Sequence, residues 1–372
     1  YQVAYMAPTE ILAKQHFELA KKLFSSTSIE LVLLTGKTSY LEKKQILNGI
    51  KNGNVKFIFG THSLFQKKIK FYNLGFAIID EQHKFGVKQR ISLAKKGGKN
   101  CDVLTMSATP IPRTLMLSSF GDMDISILNE KPKYRKEIIT LIKPEKKIFE
   151  VLPLIKNQLN KNHQVFWVCP LIDVSKKLNF SSAIKKFNEI KKIFPNKVGL
   201  IHGNIDENEK EIILKKFLKK DLQILISTTI IEVGINFPDA NVIIIEDSNK
   251  FGLSQLHQLR GRVGRGNSES YCIMLYKKNL SENAKKRLKI LKKTNDGFLI
   301  ANEDLKIRGH GDILGYQQSG IKNFKFADPI HHKDLFILAE KELKKINTDS
   351  FSRFDKLLKF YDKAEIINYI KK

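Results

Sequence analysis

Three of the nine arginines in this chain lie within six residues, at Arg260, Arg262 and Arg265. Elsewhere the chain carries its positive charge almost entirely as lysine, so arginine stands out where lysine would be a poor substitute. A guanidinium group is planar, stays charged and binds phosphate through two parallel hydrogen bonds. Glycines between the arginines let a ligand or another backbone segment approach closely. The run therefore indicates a phosphate-binding segment, with a solvated basic turn as the alternative.

A pair of carboxylates, Asp80 and Glu81, follows the apolar run 76–79. In open α/β sheets, ligands bind at the carboxyl ends of the strands. A carboxylate at that position can hold Mg²⁺ through water, which is the role we expect for Asp80. Its neighbour Glu81 can orient or deprotonate an attacking water. The alternative is an ordinary acidic pair at the start of a loop.

Small hydroxyl residues follow two other apolar runs. Ser107 and Thr109 end one of them, and Thr228 and Thr229 end another, ahead of Gly234 and Asn236. Such groups can contact sugar, phosphate or backbone. With carboxylates on one half of the chain and arginines on the other, the sequence indicates phosphoryl transfer at an interface between two units.

Composition favours a polyanionic partner. The 372-residue chain has a formal net charge of +27 and a sequence pI near 9.7, values typical of nucleic-acid-binding proteins. An AT-rich genome, which favours lysine codons, would explain part of this charge. The three cysteines are widely spaced, which fits reduced thiols in a cytoplasmic protein and no zinc site. No apolar stretch reaches the length of a membrane span, so we expect no membrane partner.

Short β-branched runs alternate with lysine-rich amphipathic patterns, the rhythm of parallel α/β sheets. We predict two such domains in tandem, followed by a mostly helical tail. The predicted strands are 2–6, 30–34, 55–60, 76–79 and 102–106 in the first domain, and 164–168, 197–201, 223–227, 241–246 and 271–275 in the second. The predicted divisions are a first domain at 1–130, a linker at 131–147, a second domain at 148–278 and the tail at 279–372.

The motifs together resemble those of superfamily-2 helicases. Asp80–His83, Ser107–Thr109 and Gln258–Arg265 look like motifs II, III and VI, and the resemblance implies that both α/β domains are RecA-like. Among these helicases the chain is most similar to the RecG family of ATP-dependent DNA helicases. The segments that carry this closer resemblance are 6–16 (MAPTEILAKQH), 80–90 (DEQHKFGVKQR), 165–172 (VFWVCPLI), 252–266 (GLSQLHQLRGRVGRG) and 296–320 (DGFLIANEDLKIRGHGDILGYQQSG).

The resemblance implies a role for each matching residue. Asp80 and Glu81 would handle Mg²⁺ and water, and Arg262 and Arg265 would be catalytic, with Arg265 the arginine finger. Further residues implied to contact nucleotide are Gln258, Gly234 and Asn236. Those implied to lie near the DNA backbone are Pro8, Thr9, Thr61 and Lys37. Those implied to couple nucleotide turnover to movement along DNA are Ser107, Thr109, Arg308 and Gln318.

Two departures from the family pattern bear on activity. Asn236 stands where the family usually has Asp, so it keeps an acceptor and loses a charge. The sequence also has no G-x-x-x-x-G-K-[ST] run to cradle phosphates, since Gly36-Lys37-Thr38 imitates only its end. We therefore expect a fragment that lacks the phosphate loop and the family's wedge domain, and that does not hydrolyse ATP by itself.

The function implied by the resemblance is an ATP-dependent DNA helicase and double-stranded DNA translocase that remodels stalled forks and Holliday junctions. ATP and Mg²⁺ would be its cofactors, and branched double-stranded DNA its substrate, with single-stranded DNA-binding protein as a possible partner. Two alternatives stay open. The first is the translocase module of a transcription-repair coupling factor, because that family shares the tail motif. The second is a non-enzymatic DNA-binding remnant, which would also be basic.

Overall fold

Two parallel β-sheets, each from one half of the chain, form the frame of the protein. The computed structural model describes residues 1–85, 93, 95–108, 124–128, 130, 132, 135–170, 176–228, 237–277, 280–308, 332–343 and 345. The predicted site residues Thr109, Gly234, Asn236 and Gln318 lie outside these ranges, as does the side chain of Arg308.

The first sheet has the strand order β2-β3-β1-β4-β5, with every pairing parallel. Its strands are β1 (Gln2–Met6), β2 (Leu31–Leu34), β3 (Phe57–Gly60), β4 (Leu74–Ile79) and β5 (Asp102–Thr105). Its described helices are α1 (Glu10–Leu23) and α2 (Tyr40–Asn52). Because neighbouring strands run the same way, their carboxyl ends share one edge of the sheet.

The second sheet has the order β6-β11-β10-β7-β9-β8, again all parallel. Its strands are β6 (Ile138–Pro144), β7 (Gln164–Val168), β8 (Val198–Ile201), β9 (Ile224–Ser227), β10 (Ala240–Ile245) and β11 (Ser270–Tyr276). The helices of this half are α3 (Leu152–Asn160), α4 (Lys176–Ile193), α5 (Glu207–Leu218), α6 (Leu253–Arg260), α7 (Glu282–Lys293), α8 (Gly297–Arg308) and α9 (Lys333–Leu343).

The central strands are continuous apolar runs because both faces of the second sheet are covered. All of β10 is buried, as is all of β7. One core packs on one face around Phe166, Phe217 and Phe237, and another packs on the opposite face around Trp167. A sheet covered on both faces in this way is characteristic of α/β proteins. The predicted fold class, two parallel α/β domains in tandem, is confirmed.

Local signals set the helix ends in the first domain. The hydroxyl of Thr9 accepts a hydrogen bond from the Leu12 N–H at 3.3 Å, and α1 begins there. Ser39 caps α2 in the same way, accepting from the Glu42 N–H at 3.3 Å. Gly53 ends α2 with φ 78°, a left-handed conformation that glycine adopts without steric cost.

The segment 131–147, predicted as a linker, contains a strand of the second sheet. Strand β6 pairs along its whole length with β11, from Ile138 opposite Ser270 to Pro144 opposite Tyr276. The linker prediction is therefore wrong over Ile138–Pro144. Pro144 is the last paired residue of an edge strand, a place where a residue without a backbone N–H is tolerated.

The first two helices of the predicted tail belong to the core of the second domain. Leu288 and Leu291 of α7 and Ile300 of α8 are buried in the same core cluster as Leu256 and Leu259 of α6. Ser254 on α6 donates its hydroxyl to Asp304 on α8 at 2.6 Å. The helix that leads into the arginine run is thus packed directly against α8.

Close approach of backbone at the end of β3 requires glycine. A Cβ on Gly60 would lie 2.5 Å from the carbonyl oxygen of Leu34, whereas a Cβ on Gly203 would meet nothing within 4 Å. We expect Gly60→Ala to lower the free energy of unfolding by about 2 kcal/mol or more, as overpacked sites do. Gly203→Ala is the control and should leave the urea midpoint almost unchanged. Equal midpoints for the two variants would contradict this packing.

Candidate active site

The acidic pair lies at the carboxyl end of β4, on strained backbone. The Asp80 N–H donates to the Met6 carbonyl at 2.9 Å, which continues the pairing of β1 with β4. The Asp80 carboxylate then accepts the Glu81 N–H at 2.8 Å. Glu81 has φ 48° and ψ 54°, a left-handed conformation that a residue with a side chain seldom adopts. Such strain is common at functional sites, where surrounding contacts hold it in place.

The Glu81 carboxylate contacts the segment that follows β5. The Ala108 N–H donates to Glu81 Oε2 at 3.3 Å, and the Gln82 N–H donates to the Met106 carbonyl at 3.0 Å. Burial raises the pKa of Glu81, and the charge of Asp80 raises it further, against opposing effects of the Ala108 N–H and of Arg262. A carboxylate whose proton affinity is raised is a better general base.

Asp80 contacts His16 and, through it, is linked to Tyr5, and sequence reasoning missed both residues. His16 Nε2 on α1 lies 3.5 Å from Asp80 Oδ2 and 3.2 Å from the Tyr5 hydroxyl on β1. Burial and the charge of Asp80 raise the pKa of Tyr5. These polar groups come from β1, from α1 and from the end of β4. The orientation of the Asp80 carboxylate therefore depends on the pairing of β1 with β4 and on the position of α1.

The second sheet repeats this backbone with different chemistry. Glu246 and Asp247 follow β10, Asp247 has φ 45°, and a short 3₁₀ segment follows, as at Glu81. Here lysines neutralise the pair: Lys186 lies 3.0 Å from Glu246, and Lys250 and Lys277 each lie 3.0 Å from Asp247. The second pair therefore has a structural role.

The arginine run divides into one structural residue, Arg260, and two residues, Arg262 and Arg265, that interact electrostatically with Glu81 across the boundary between the domains, which is called the cleft below. Arg260 is fully buried and donates to the carbonyls of Leu291 at 2.7 Å and Thr294 at 3.0 Å, at the end of α7. Its guanidinium also lies 2.9 Å from His257 Nδ1. Arg260 therefore ties the end of α6 to α7 and takes no part in the cleft.

Arg262 and Arg265 face the acidic pair electrostatically. Burial lowers the pKa of Arg262 to about 10, with a further contribution from Arg265, while the charge of Glu81 opposes the shift. Burial and Arg135 lower the pKa of Arg265, again against Glu81. Among the residues that the structure describes, the buried Nε of Arg262 has no hydrogen-bond partner. Arg135 donates to the Gly264 carbonyl at 2.8 Å and so fixes the turn between the two arginines.

The structure therefore brings Glu81, from the first domain, within the electrostatic range of Arg262 and Arg265, from the second. An unsatisfied guanidinium N–H near a half-buried carboxylate suits an anion that brings its own cation, which is the charge pattern of a metal-bound phosphate. Gln258 is half-buried on α6. Ser107 is half-buried between Met106 and Ala108, both of which bond to the acidic segment.

The residues expected near DNA occupy the same edge of the first sheet. Pro8 is half-buried after β1, the Thr9 hydroxyl caps α1, and Thr61 is buried after β3. Lys37 crosses to the second domain, where its Nζ lies 3.5 Å from Glu211. The hydroxyl of Thr9 thus has a structural partner, and Lys37 has an ionic one.

Three family models match successive parts of the chain. The DEAD/DEAH box helicase model matches residues 1–117, which include the first sheet. The helicase conserved C-terminal domain model matches residues 145–267, which include strands β7 to β10 of the second sheet. The model for domain 3, C-terminal, of ATP-dependent DNA helicase RecG matches residues 294–354, which include α8 and α9.

Relatives align with almost the whole chain. ATP-dependent DNA helicase RecG of Aquifex aeolicus is 45% identical over 380 residues, which cover 98% of this chain and 48% of that protein. The protein of the same name from Streptococcus pneumoniae is 46% identical over 342 residues, covering 91% and 50%. A structure of RecG bound to a three-way DNA junction matches with a TM-score of 0.71 at 40% identity, covering 90% of this chain and 43% of that one.

This chain belongs to the RecG family. The resemblance inferred from the motifs is thereby confirmed. The chain spans about half the length of the RecG relatives it matches. A structure of yeast Dbp5 bound to RNA and ADP BeF3 matches with a TM-score of 0.59 at 18% identity, a likeness that shows the fold alone.

Two kinds of feature are absent from the described residues. No helix in the described ranges is both long and apolar enough to cross a membrane. Across the same part of this RecG-family chain, no group of three or more His, Cys, Asp or Glu side chains is placed to hold a metal ion.

The two buried arginines predict opposite effects on stability. Arg260→Met removes bonds to two helix-end carbonyls and leaves them buried, so we expect the free energy of unfolding to fall by about 2–3 kcal/mol. Arg262→Met removes a guanidinium whose Nε is unsatisfied, so stability should stay the same or rise. Chemical denaturation of both variants measures the difference. A larger loss for Arg262→Met than for Arg260→Met would refute this division of roles.

Proposed function

We propose that this chain is the motor part of an ATP-dependent DNA helicase and double-stranded DNA translocase that remodels stalled replication forks and Holliday junctions. The observation that carries the proposal is the electrostatic interaction of Glu81, from the first domain, with Arg262 and Arg265, from the second. A phosphoryl-transfer site built from two such halves can open and close as nucleotide is bound and hydrolysed. Membership of the RecG family supports DNA as the track.

The residues present fit a magnesium-bound nucleoside triphosphate. Asp80 offers an oxygen ligand of the kind that Mg²⁺ prefers, and the ion would supply neutralisation of the phosphate charge. Glu81, with its raised pKa, would take a proton from the attacking water. Arg262 offers a buried N–H without a partner, and Arg265 a second guanidinium, for the oxygens of the transferred phosphate.

The contact of α6 with α8 supplies a route from the nucleotide site to the DNA-moving tail. Ser254, near the start of α6, bonds to Asp304 on α8, and Arg260 at the end of α6 bonds to the carboxyl end of α7. A shift of the arginine run on domain closure would therefore move α7 and α8. Ser107, next to the residues that contact the acidic segment, would couple the same event on the other side of the cleft.

Branched double-stranded DNA is the substrate class that we propose. The net charge of +27 suits a polyanion. A RecG relative has been solved on a three-way DNA junction. We further propose that the protein acts in the cytoplasm, where single-stranded DNA-binding protein at a stalled fork would be a natural partner.

A chimera tests the catalytic assignment directly. Joining this chain to the N-terminal half of the Aquifex aeolicus relative should give a protein that hydrolyses ATP when junction DNA is added. Within that chimera, Glu81→Gln should lower the DNA-stimulated rate by about 100-fold or more, because it removes the general base. The same variant should bind junction DNA as tightly as the parent chimera.

Asp247→Asn serves as the control, since Asp247 has the same backbone at the end of β10 and is neutralised by lysine. It should keep most of the ATPase activity. A Glu81→Gln chimera that hydrolyses ATP at the parental rate would rule out the assigned base. If the unjoined chain hydrolysed ATP as fast as the chimera, the expectation that it lacks a phosphate loop would be wrong.

The route through α6 predicts a separation of the two activities. In the chimera, Ser254→Ala removes the donor to Asp304, which should weaken coupling by about 0.5–2 kcal/mol, or roughly 2- to 30-fold in junction unwinding. ATP hydrolysis should change little. Glu303→Gln on the same helix breaks only its pair with Lys306 and is the matched control. Parallel losses of ATPase and unwinding in Ser254→Ala would contradict the route.

A further inference from the structure

A cavity of about 450 Å³ lies in the first domain, outside the cleft that holds Glu81. It opens between the chain that leads into β4 and the 3₁₀ segment Lys95–Asn100 that leads into β5. Four lysines line it: Lys67, Lys70, Lys95 and Lys96. Within the described part of the chain, none of the four forms an ion pair with a carboxylate.

We call this cavity the lysine pocket, and Lys96 is the lysine in it that is held by hydrogen bonds to the backbone. Its ammonium group is half-buried and donates to the carbonyls of Gln66 and Ile69, both at 2.7 Å. These bonds hold the loop around the cavity, and no carboxylate of the described residues pairs with the ammonium group. Burial lowers the pKa of Lys96, as expected for a cation removed from water and given only dipoles in return. A bound anion would compensate this cost.

The sequence that leads into the lysine pocket contains no acidic residue over a long stretch. Between Glu42 and Asp80 it carries seven lysines and no Asp or Glu. A lysine-rich genome explains many lysines, but it does not explain the lack of carboxylates over such a length. This stretch of sequence therefore carries positive charge alone, which suits an extended polyanion.

We propose that the lysine pocket binds the phosphodiester backbone of a duplex arm of the DNA substrate, apart from the track followed by the motor. This inference rests on the proposed function. A branched substrate presents more than one duplex arm, and a motor that moves along one leaves the others to be held elsewhere. Ammonium groups bind phosphate as point charges and carry no base preference, so the contact is independent of sequence.

Charge neutralisation with a matched control tests the pocket. The triple variant Lys67→Gln, Lys70→Gln and Lys95→Gln alters exposed side chains and spares the structural Lys96. The control triple, Lys21→Gln, Lys22→Gln and Lys192→Gln, removes the same charge from exposed positions on α1 and α4, outside that stretch. Binding of this chain to a three-way DNA junction is measured by fluorescence anisotropy between about 50 and 200 mM KCl.

In the pocket variant, the slope of log affinity against log salt should be less negative by about 2 to 3, since each contacted phosphate contributes about −0.9. The control should change it by less than about 1. Equal slopes for the two triples would overturn the pocket and leave the proposed function standing. Failure of the unaltered chain to bind junction DNA would overturn both. An acidic peptide that binds the unaltered chain but not the pocket variant, while DNA binding is unaffected, would overturn the assignment to DNA.

Discussion

Burying a guanidinium group is costly unless its N–H groups find partners, and the segment from 260 to 265 meets this constraint in two ways. Arg260 is satisfied by the carbonyls at the end of α7, so it fastens α6 to the helices that follow the second sheet. Arg262 is buried beside Glu81 and keeps an unsatisfied Nε. Arg260 thus stabilises the fold, whereas the unsatisfied Nε of Arg262 costs stability and stays available to a ligand. Functional sites commonly give up stability in this way.

The two halves of the protein share a local design and use it differently. In each sheet a central strand ends in an acidic pair, the second acid adopts a left-handed backbone, and a 3₁₀ segment follows. In the second half, lysines hold the pair at 3.0 Å and make it a fixed part of the core edge. In the first half, histidine and distant arginines take the place of the lysines. The chemistry follows from these neighbours, since the backbone is the same.

Local pattern predicted much of this molecule, because parallel strands and amphipathic helices leave short-range signals. The strand 164–168 and the acidic pair at 80–81 fall where the sequence placed them. Local pattern could not predict contacts between segments that are distant in sequence. The Tyr5–His16–Asp80 chain depends on the pairing of β1 with β4, and strand β6 depends on β11 as a partner. Arginine type alone could not separate Arg260 from Arg262, because burial and partners are tertiary properties.

The central claim is that Arg262 serves the terminal phosphate of a nucleotide held against Asp80 and Glu81. Calorimetric titration of the Aquifex chimera with ATPγS and with ADP, for the parent and for Arg262→Met, tests it most directly. The account predicts that the variant binds ATPγS roughly 10- to 100-fold more weakly, the loss expected for a charge-assisted hydrogen bond, while its affinity for ADP is unchanged. Equal losses for both nucleotides, or none for either, would contradict it.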